Sequence, residues 1–217
     1  MPSEQLEDYL KNIYKIQSSE GRVTTTLLSQ KLKISPASVT EMVKKLAEEG
    51  IVTHTPYKGV HLTKEGKKRA LQIIRRQRLW EAFLVEVLKY DWHEIDEEAE
   101  KLEHVASERL ERRIDEILGY PSTDPHGDAI PTREGKVDAS HHSPLAAIQP
   151  GKTVTVRRVS DSSPEILRYM SKLGITLNKK IKVKEKIEFD GSLRVDVGGK
   201  EQFISSKLAQ NIYVDSD

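Results

Sequence analysis

The sequence has no cysteine among its 217 residues. This absence excludes a disulfide framework, a thiolate zinc site and a cysteine nucleophile. The chain also lacks any apolar run of the roughly 18 residues that a membrane-spanning helix needs. Its polar start, Met1–Glu4, has no apolar core of a signal peptide. We therefore expect a protein of the reducing cytoplasm with no membrane partner.

The net charge is also close to zero, at +1, but the charged residues are unevenly distributed along the chain. Residues 1–78 contain 15 Lys or Arg and 8 Asp or Glu, whereas residues 79–138 contain 7 and 17. Residues 139–217 are mildly basic, with 13 and 9. A basic first third indicates a polyanionic partner, and an acidic middle indicates a cation.

The first third of the chain has the element order of a winged helix-turn-helix. Apolar spacing predicts a helix over residues 3–17 and a short second helix after the threonines at 24–26. A third helix is predicted from an N-cap at Ser35 to a stop at Gly50. Two alternating runs on either side of Lys58 then predict a hairpin, which would be the wing.

The third helix is the predicted recognition helix, because hydroxyl groups near its N-terminus suit phosphates and base edges, and lysines one turn later suit phosphates. The candidate DNA-binding residues, including two at the wing tip, are Ser35, Pro36, Ser38, Thr40, Glu41, Lys44, Lys45, Tyr57 and Lys58. Glu41 either accepts a hydrogen bond from a cytosine amine or points away from DNA. The alternative is a three-helix bundle whose basic face is only solvated.

Two long helices are predicted over residues 63–90 and 94–118, with Gly119 ending the second. Residues 139–149 have the composition of a linker. The remainder, residues 150–217, contains segments that alternate with period two and one short helix, which predicts a small β-barrel. The predicted fold class is therefore α+β, mainly α.

The second long helix begins with EIDEEAEKLEHV, which contains six carboxylates and one histidine in twelve residues. Helical geometry predicts a single polar stripe of Asp96, Glu100, Glu103, His104 and Ser107 beside an apolar one. Like charges at this spacing repel, and a bound Mn²⁺, Fe²⁺ or Zn²⁺ would relieve the repulsion. A merely solvated charged face is the alternative.

Six segments carry a family resemblance: EDYLKNIY, SPASVTEMVKKLAEEGIV, GVHLTKEGKK, RLWEAFLVEVL, EEAEKLEHV and DPHGDAIP. In this order they resemble the diphtheria-toxin-repressor family of metal-dependent transcriptional repressors, over nearly the whole chain. The tail resembles the SH3-like (FeoA-like) C-terminal domain of the longer members of that family.

The resemblance implies a winged helix-turn-helix DNA-binding domain over residues 1–72 and a helical metal-binding and dimerisation domain over residues 73–138. A linker over residues 139–149 and an SH3-like domain over residues 150–217 follow. It also implies a homodimer that binds a palindromic double-stranded DNA operator when loaded with Mn²⁺ or Fe²⁺. Such a regulator of metal homeostasis genes has no small organic substrate.

The family's primary metal site, placed on the matching positions, consists of Asp8, Glu100, Glu103 and His104. The iron-sensing branch has Met and Cys where Asp8 and Glu100 stand, so these residues match the manganese-sensing branch. Hard oxygen ligands favour Mn²⁺ as well, with Fe²⁺ and Zn²⁺ left open. Replacement of Glu103 by Ala is expected to abolish metal-dependent DNA binding and to leave the fold intact.

Two positions depart from the family pattern. Gln77 stands where the family usually has a metal-ligating histidine, and Lys11 stands where the manganese branch often has a glutamate. Because a charged lysine cannot coordinate a cation, a binuclear site of that type is not expected. An ancillary site would draw on the positions Gln77, Glu81 and Asp96, with Asp161 or Glu165 contributed by the SH3-like domain.

Other interpretations stay open. The same elements fit a winged-helix regulator whose DNA binding is independent of metal or responds to another effector. An enzyme is not expected, because a metallohydrolase would need an open metal position and a general base, and no such extra constellation is present. His126 is expected to be a loop residue and the pair His141-His142 to be solvated. The SH3-like domain could instead bind a proline-rich segment around Pro144 and Pro150.

Overall fold

The computed structural model describes residues 4–55, 59–137, 141–160 and 163–216. The chain divides into two compact units. The first unit comprises Met1–Arg78, Glu100–Glu111 and Ile130–Val137, and the second comprises Leu79–Ala99, Arg112–Ala129 and Asp138–Asp217. No helix within the described ranges is both long and apolar enough to cross a membrane.

The first unit begins with the predicted winged helix-turn-helix. Its elements are α1 (Glu4–Glu20), α2 (Thr25–Leu32), α3 (Pro36–Glu48), β1 (Val52–Thr55) and β2 (Gly59–Leu62). The Thr24 hydroxyl accepts from the Leu27 N–H at 3.1 Å, and the Ser35 hydroxyl accepts from the Ser38 N–H at 3.1 Å. These contacts cap α2 and α3, so the predicted helix starts are confirmed.

Helix α1 and helix α3 share one apolar core. Tyr9 and Leu10 of α1 are each 1% exposed and pack in the same cluster as Val39 and Val43 of α3. The placement of α3 therefore depends on the placement of α1, and the polar face of α1 has a defined relation to the predicted recognition helix.

The wing is a two-stranded antiparallel sheet in which Val52 lies opposite Leu62. Gly59 at its turn has φ of 97°, and a Cβ there would lie 2.4 Å from the carbonyl oxygen of Val23. Only glycine fits this close approach. The predicted tip residues Tyr57 and Lys58 lie outside the described residues.

The predicted long helices are shorter than expected, and the second is broken. Helix α4 spans Lys64–Glu86, and the acidic segment forms α5 (Ile95–Glu103) and α6 (Glu108–Ile117). Ser107 starts α6, because its hydroxyl accepts from the Leu110 N–H at 3.3 Å. The single continuous polar stripe reaching Ser107 is therefore wrong.

The second unit contains the predicted small β-structure. Its elements are β3 (Ser143–Pro144), β4 (Thr153–Val159), α7 (Pro164–Lys172), β5 (Lys180–Lys186), β6 (Leu193–Val197), β7 (Lys200–Ile204), α8 (Ser206–Ala209) and β8 (Ile212–Ser216). The strands form one antiparallel sheet in the order β3-β8-β4-β5-β6-β7. Alternate strand residues, such as Val154, Ile181 and Val195, are fully buried in its core. The prediction of a mainly helical α+β chain with an SH3-like tail is confirmed.

Part of the predicted linker belongs to this sheet. Ser143 pairs with Val214, and Leu145 is fully buried in the core. His142, expected to be solvated, has Nδ1 2.6 Å from Asp215 Oδ1. This hydrogen bond is the main reason why the pKa of Asp215 lies below its usual range. The linker composition did not reveal these contacts, because their partners lie about 70 residues further along the chain.

Candidate metal centre and DNA-binding surface

Three of the predicted metal ligands meet in the first unit. One ligand atom from each of Asp8, Glu103 and His104 lies within 4.8 Å of the other two. His104 Nε2 is 3.3 Å from Asp8 Oδ1 and 3.5 Å from Glu103 Oε1. Two carboxylates and one imidazole form a donor set that suits Mn²⁺, Fe²⁺ or Zn²⁺.

Two oxygens of this cluster are buried without a hydrogen-bond partner in the described part of the chain: Asp8 Oδ1 and Glu103 Oε2. Glu103 is fully buried, whereas the Asp8 side chain is 32% exposed. Burial raises the pKa values of both carboxyl groups above their usual range. Buried carboxylate oxygens need a compensating partner, and a divalent cation would provide it, so the residues fit a metal ion.

The His104 ring is oriented by Glu7. His104 Nδ1 lies 2.8 Å from Glu7 Oε2, and Glu7 Oε1 accepts a 2.7 Å hydrogen bond from Arg76. A carboxylate only accepts, so Nδ1 carries a proton, and in the neutral ring the lone pair is on Nε2, which faces Asp8 and Glu103. Sequence reasoning missed Glu7, because its role depends on Arg76, 69 residues away.

Replacement of Glu7 by Gln is expected to lower the Mn²⁺ affinity of the DNA-free protein about 10- to 100-fold, the usual effect of losing a partner of a ligand histidine. The amide loses the ion pair with Arg76 and no longer fixes the histidine proton. Titration of Mn²⁺ followed by electron paramagnetic resonance measures the affinity. Glu4→Gln, an exposed position on the same helix, is the control. Equal affinities for Glu7→Gln and the wild type would show that Glu7 does not orient the ligand.

A buried lysine lies beside the same cluster. Lys11 is 2% exposed, and its Nζ is 2.5 Å from Glu103 Oε1 and 3.3 Å from Glu100 Oε1. Burial opposes the charge of Lys11, but the neighbouring carboxylates outweigh burial and raise its pKa above the ordinary value. Glu100, predicted as a primary ligand, thus pairs with Lys11, and its side chain is 54% exposed.

A second group of ligand-type side chains lies in the second unit. Glu81, Asp124 and His126 are 3%, 5% and 1% exposed, and one ligand atom from each lies within 4.8 Å of the others. His126 Nε2 lies 2.8 Å from the Trp92 carbonyl oxygen. A carbonyl only accepts, so Nε2 carries the proton, and His126 Nδ1 is buried with no partner in the described ranges. His126 is a loop residue as predicted, but its side chain is part of this cluster.

The residues predicted for an ancillary site are distributed differently. Glu81 belongs to the second cluster, while Asp96 is exposed and belongs to neither cluster. Gln77 is buried on α4 in the first unit, and Glu165 is exposed in the first turn of α7. Asp161 lies outside the described residues. The Asp and His of the DPHG motif were the signal in the sequence for the second cluster. Because the sequence does not show that Glu81 lies beside them, the motif by itself predicts only a turn.

The predicted DNA-contacting residues of α3 lie on its exposed face. The described residues on this face are Ser35, Pro36, Ser38, Thr40, Glu41, Lys44 and Lys45. The Thr40 hydroxyl donates to the Pro36 carbonyl at 2.8 Å, and Ser35 caps the helix. The Ser38 hydroxyl lies 2.9 Å from the Ser35 hydroxyl, so the two lysines remain as the groups on this face best suited to a phosphate.

Models of known protein families match three successive segments. Residues 1–60 match the N-terminal DNA-binding domain of iron-dependent repressors, residues 63–132 match their metal-binding and dimerisation domain, and residues 143–216 match the FeoA domain. A solved manganese-dependent transcriptional repressor in complex with manganese is 41% identical, with a TM-score of 0.89 over 97% of this chain and 99% of that chain. The chain belongs to the diphtheria toxin repressor family.

Relatives from both metal branches are similar to it. The iron-dependent repressor IdeR of Mycobacterium leprae is 30% identical over 73% of this chain and 67% of its own length. The regulator MntR of Oceanobacillus iheyensis is 32% identical over 55% of this chain and 81% of its own length. The structure of ScaR with bound Zn²⁺ is 34% identical, with a TM-score of 0.79 over 99% of both chains.

As a member of this family, the protein is a metal-dependent DNA-binding transcriptional repressor. The family consists of repressors, so the expectation that the chain is a regulator and not an enzyme is confirmed. Its middle segment matches a domain that binds metal and forms dimers.

Proposed function

We propose that the protein represses transcription as a homodimer that binds a palindromic operator when Mn²⁺ is held by Asp8, Glu103 and His104. The observation that carries the proposal is the convergence of these side chains, two of whose buried carboxylate oxygens have no hydrogen-bond partner among the described residues. An oxygen-rich donor set favours Mn²⁺ over softer ions. A 41% identical relative is a manganese-dependent repressor, which supports the same choice.

Fe²⁺ is the second candidate, because relatives such as IdeR are iron-dependent. Zn²⁺ and Cd²⁺ are bound in structures of ScaR, so both are expected to bind here in vitro. The genes under control would be those of manganese or iron homeostasis. Since its target is chromosomal DNA, the protein is placed in the cytoplasm.

The switch is a restraint on α1. Asp8 lies on α1, Glu103 is the last residue of α5, and His104 follows it. The ammonium group of Lys11 contacts Glu103, but Asp8 Oδ1 has no hydrogen-bond partner among the described residues. A divalent ion held by Asp8, Glu103 and His104 would add a second link between α1 and this segment, through Asp8, beside the Lys11–Glu103 ion pair. Tyr9, next to Asp8, is buried against α3, so a restraint on α1 also restrains the recognition helix. As a result, the fraction of dimers that can bind DNA increases. In these dimers the two recognition helices are about 34 Å apart.

The second cluster supports an ancillary cation site made of Glu81, Asp124 and His126. Its three side chains are buried, and His126 Nδ1, which has no partner in the part of the chain that the structure describes, is available as a ligand. We propose this set in place of the combination of Gln77, Glu81 and Asp96, with Asp161 or Glu165, that the resemblance implies.

The decisive experiment is operator binding, with the operator selected from random duplexes and titrated separately with Mn²⁺, anaerobic Fe²⁺, Zn²⁺ and EDTA. Activation by micromolar Mn²⁺ and loss of binding in EDTA are the expected results. Tight binding that ignores every metal would support the alternative, a winged-helix regulator that has no metal switch.

Replacement of Lys45 by Ala is expected to weaken binding about equally for all DNA sequences and to reduce the salt slope of the binding constant by about 1, as for one lost phosphate contact. Fluorescence anisotropy at several salt concentrations measures both quantities. The same change at Lys200, exposed on β7, is the control. An unchanged salt slope would remove Lys45 from the DNA surface.

A further inference from the structure

Lys11 lies beside the candidate metal site, and as a charged lysine it cannot itself be a ligand. Its Nζ contacts Glu103 Oε1, the oxygen that also lies 3.5 Å from His104 Nε2. Glu103 Oε2 has no hydrogen-bond partner in the described residues. The ammonium group therefore directly contacts the Glu103 oxygen that lies beside His104.

We propose that Lys11 is a built-in cation that neutralises Glu103 in the metal-free protein, lowers the affinity of the site for its divalent ion, and so sets the metal concentration at which the repressor responds. This inference rests on the proposed function and concerns the regulation of the same site.

In the metal-free protein, Lys11 makes it possible to bury Glu103. A fully buried carboxylate without a charged partner is strongly unfavourable, and the 2.5 Å contact with Lys11 provides that partner. The Lys11–Glu103 pair also joins α1 to the end of α5 before any metal binds.

In the metal-bound protein, Lys11 and the ion share Glu103. Two positive charges on one buried carboxylate repel each other, and at a buried site neither water nor salt screens the repulsion well. The charges also balance, because Asp8, Glu100 and Glu103 carry three negative charges, and Lys11 with one divalent ion carries three positive ones. A neutral residue at position 11 would leave one carboxylate uncompensated, and the divalent ion would bind more tightly.

The test compares Mn²⁺ binding by the full-length, DNA-free wild type, Lys11→Gln and Lys15→Gln. Glutamine keeps a hydrogen-bond donor for Glu103 but removes the charge. Lys15 is exposed one turn later on α1 and is the matched control for loss of a positive charge. We expect Lys11→Gln to bind Mn²⁺ about tenfold or more tightly and to unfold at a lower temperature without metal, and Lys15→Gln to stay within about threefold of the wild type.

Lys11→Arg keeps the charge and should bind Mn²⁺ within about threefold of the wild type. If Lys11→Gln is unfolded without metal, the Mn²⁺ dependence of its thermal unfolding yields the affinity instead. Binding by Lys11→Gln that equals or falls below that of the wild type overturns the inference, as does an equal change in the Gln and Arg variants. Failure of the wild type itself to bind Mn²⁺ overturns the proposed function together with it.

Discussion

Replacement of Asp8 by Ala should raise the Mn²⁺ concentration needed for half-maximal operator binding by more than about 100-fold. Loss of a ligand exceeds the roughly 10- to 100-fold effect of losing a ligand's hydrogen-bond partner. Asp8 is the ligand that we propose for α1, so its loss should also remove the metal-mediated link between α1 and the segment that carries Glu103 and His104. The fold should survive, because the Asp8 side chain is partly exposed and one of its oxygens has no hydrogen-bond partner among the described residues.

Fluorescence anisotropy with a labelled operator, titrated with Mn²⁺, measures this effect, and thermal unfolding in EDTA checks the fold. Glu4→Ala removes a negative charge from an exposed position one turn earlier on α1 and is the matched control. If Asp8→Ala and Glu4→Ala respond to Mn²⁺ equally, Asp8 is not a ligand and the metal site must lie elsewhere.

Replacement of Glu103 by Ala is expected to destabilise the metal-free protein by about 3–5 kcal/mol, the usual cost of leaving one member of a buried ion pair without its partner. The surface stripe predicted from the sequence implied that this change would spare the fold. That expectation is corrected by the complete burial of Glu103 against Lys11. Urea denaturation in EDTA measures the free energy of unfolding.

The double variant Glu103→Ala/Lys11→Met separates stability from metal response. Removal of both charges should recover most of the lost stability, because no buried charge remains unpaired. The response to Mn²⁺ should stay absent, since a ligand is still missing. A double variant as unstable as Glu103→Ala alone would mean that the destabilisation comes from lost packing and not from the unpaired ammonium of Lys11.

The burial of Glu103 also makes the free energy of unfolding depend on pH, and the direction of this dependence can be predicted. The pKa of Glu103 is raised in the folded protein, so its protonated form is favoured there relative to the unfolded chain. A carboxyl group with a raised folded pKa contributes stability that is present at low pH and is lost as pH rises through its folded value. The pKa of Lys11 is raised as well, and the stability it contributes is lost only as pH rises through its own folded value.

Local signals in the sequence were sufficient for the DNA-binding half of the fold. The caps Thr24 and Ser35 and the stop at Gly50 act on their own neighbours, so their effect is visible without tertiary structure. Period-two alternation likewise predicted the β-rich tail, because each strand buries one face. The family resemblance predicted one site of Asp8, Glu100, Glu103 and His104, of which the structure brings Asp8, Glu103 and His104 together.

Only the tertiary structure determined which charged groups surround that site and which residues orient its side chains. The sequence pattern predicts that Glu103 lies on the surface. In the structure Glu103 is buried, because Lys11, 92 residues away, neutralises its charge. His104 depends on Glu7, 97 residues away, for the orientation of its ring. The free energy of a buried charge depends on partners that only the fold brings together, so composition and spacing could not supply these roles.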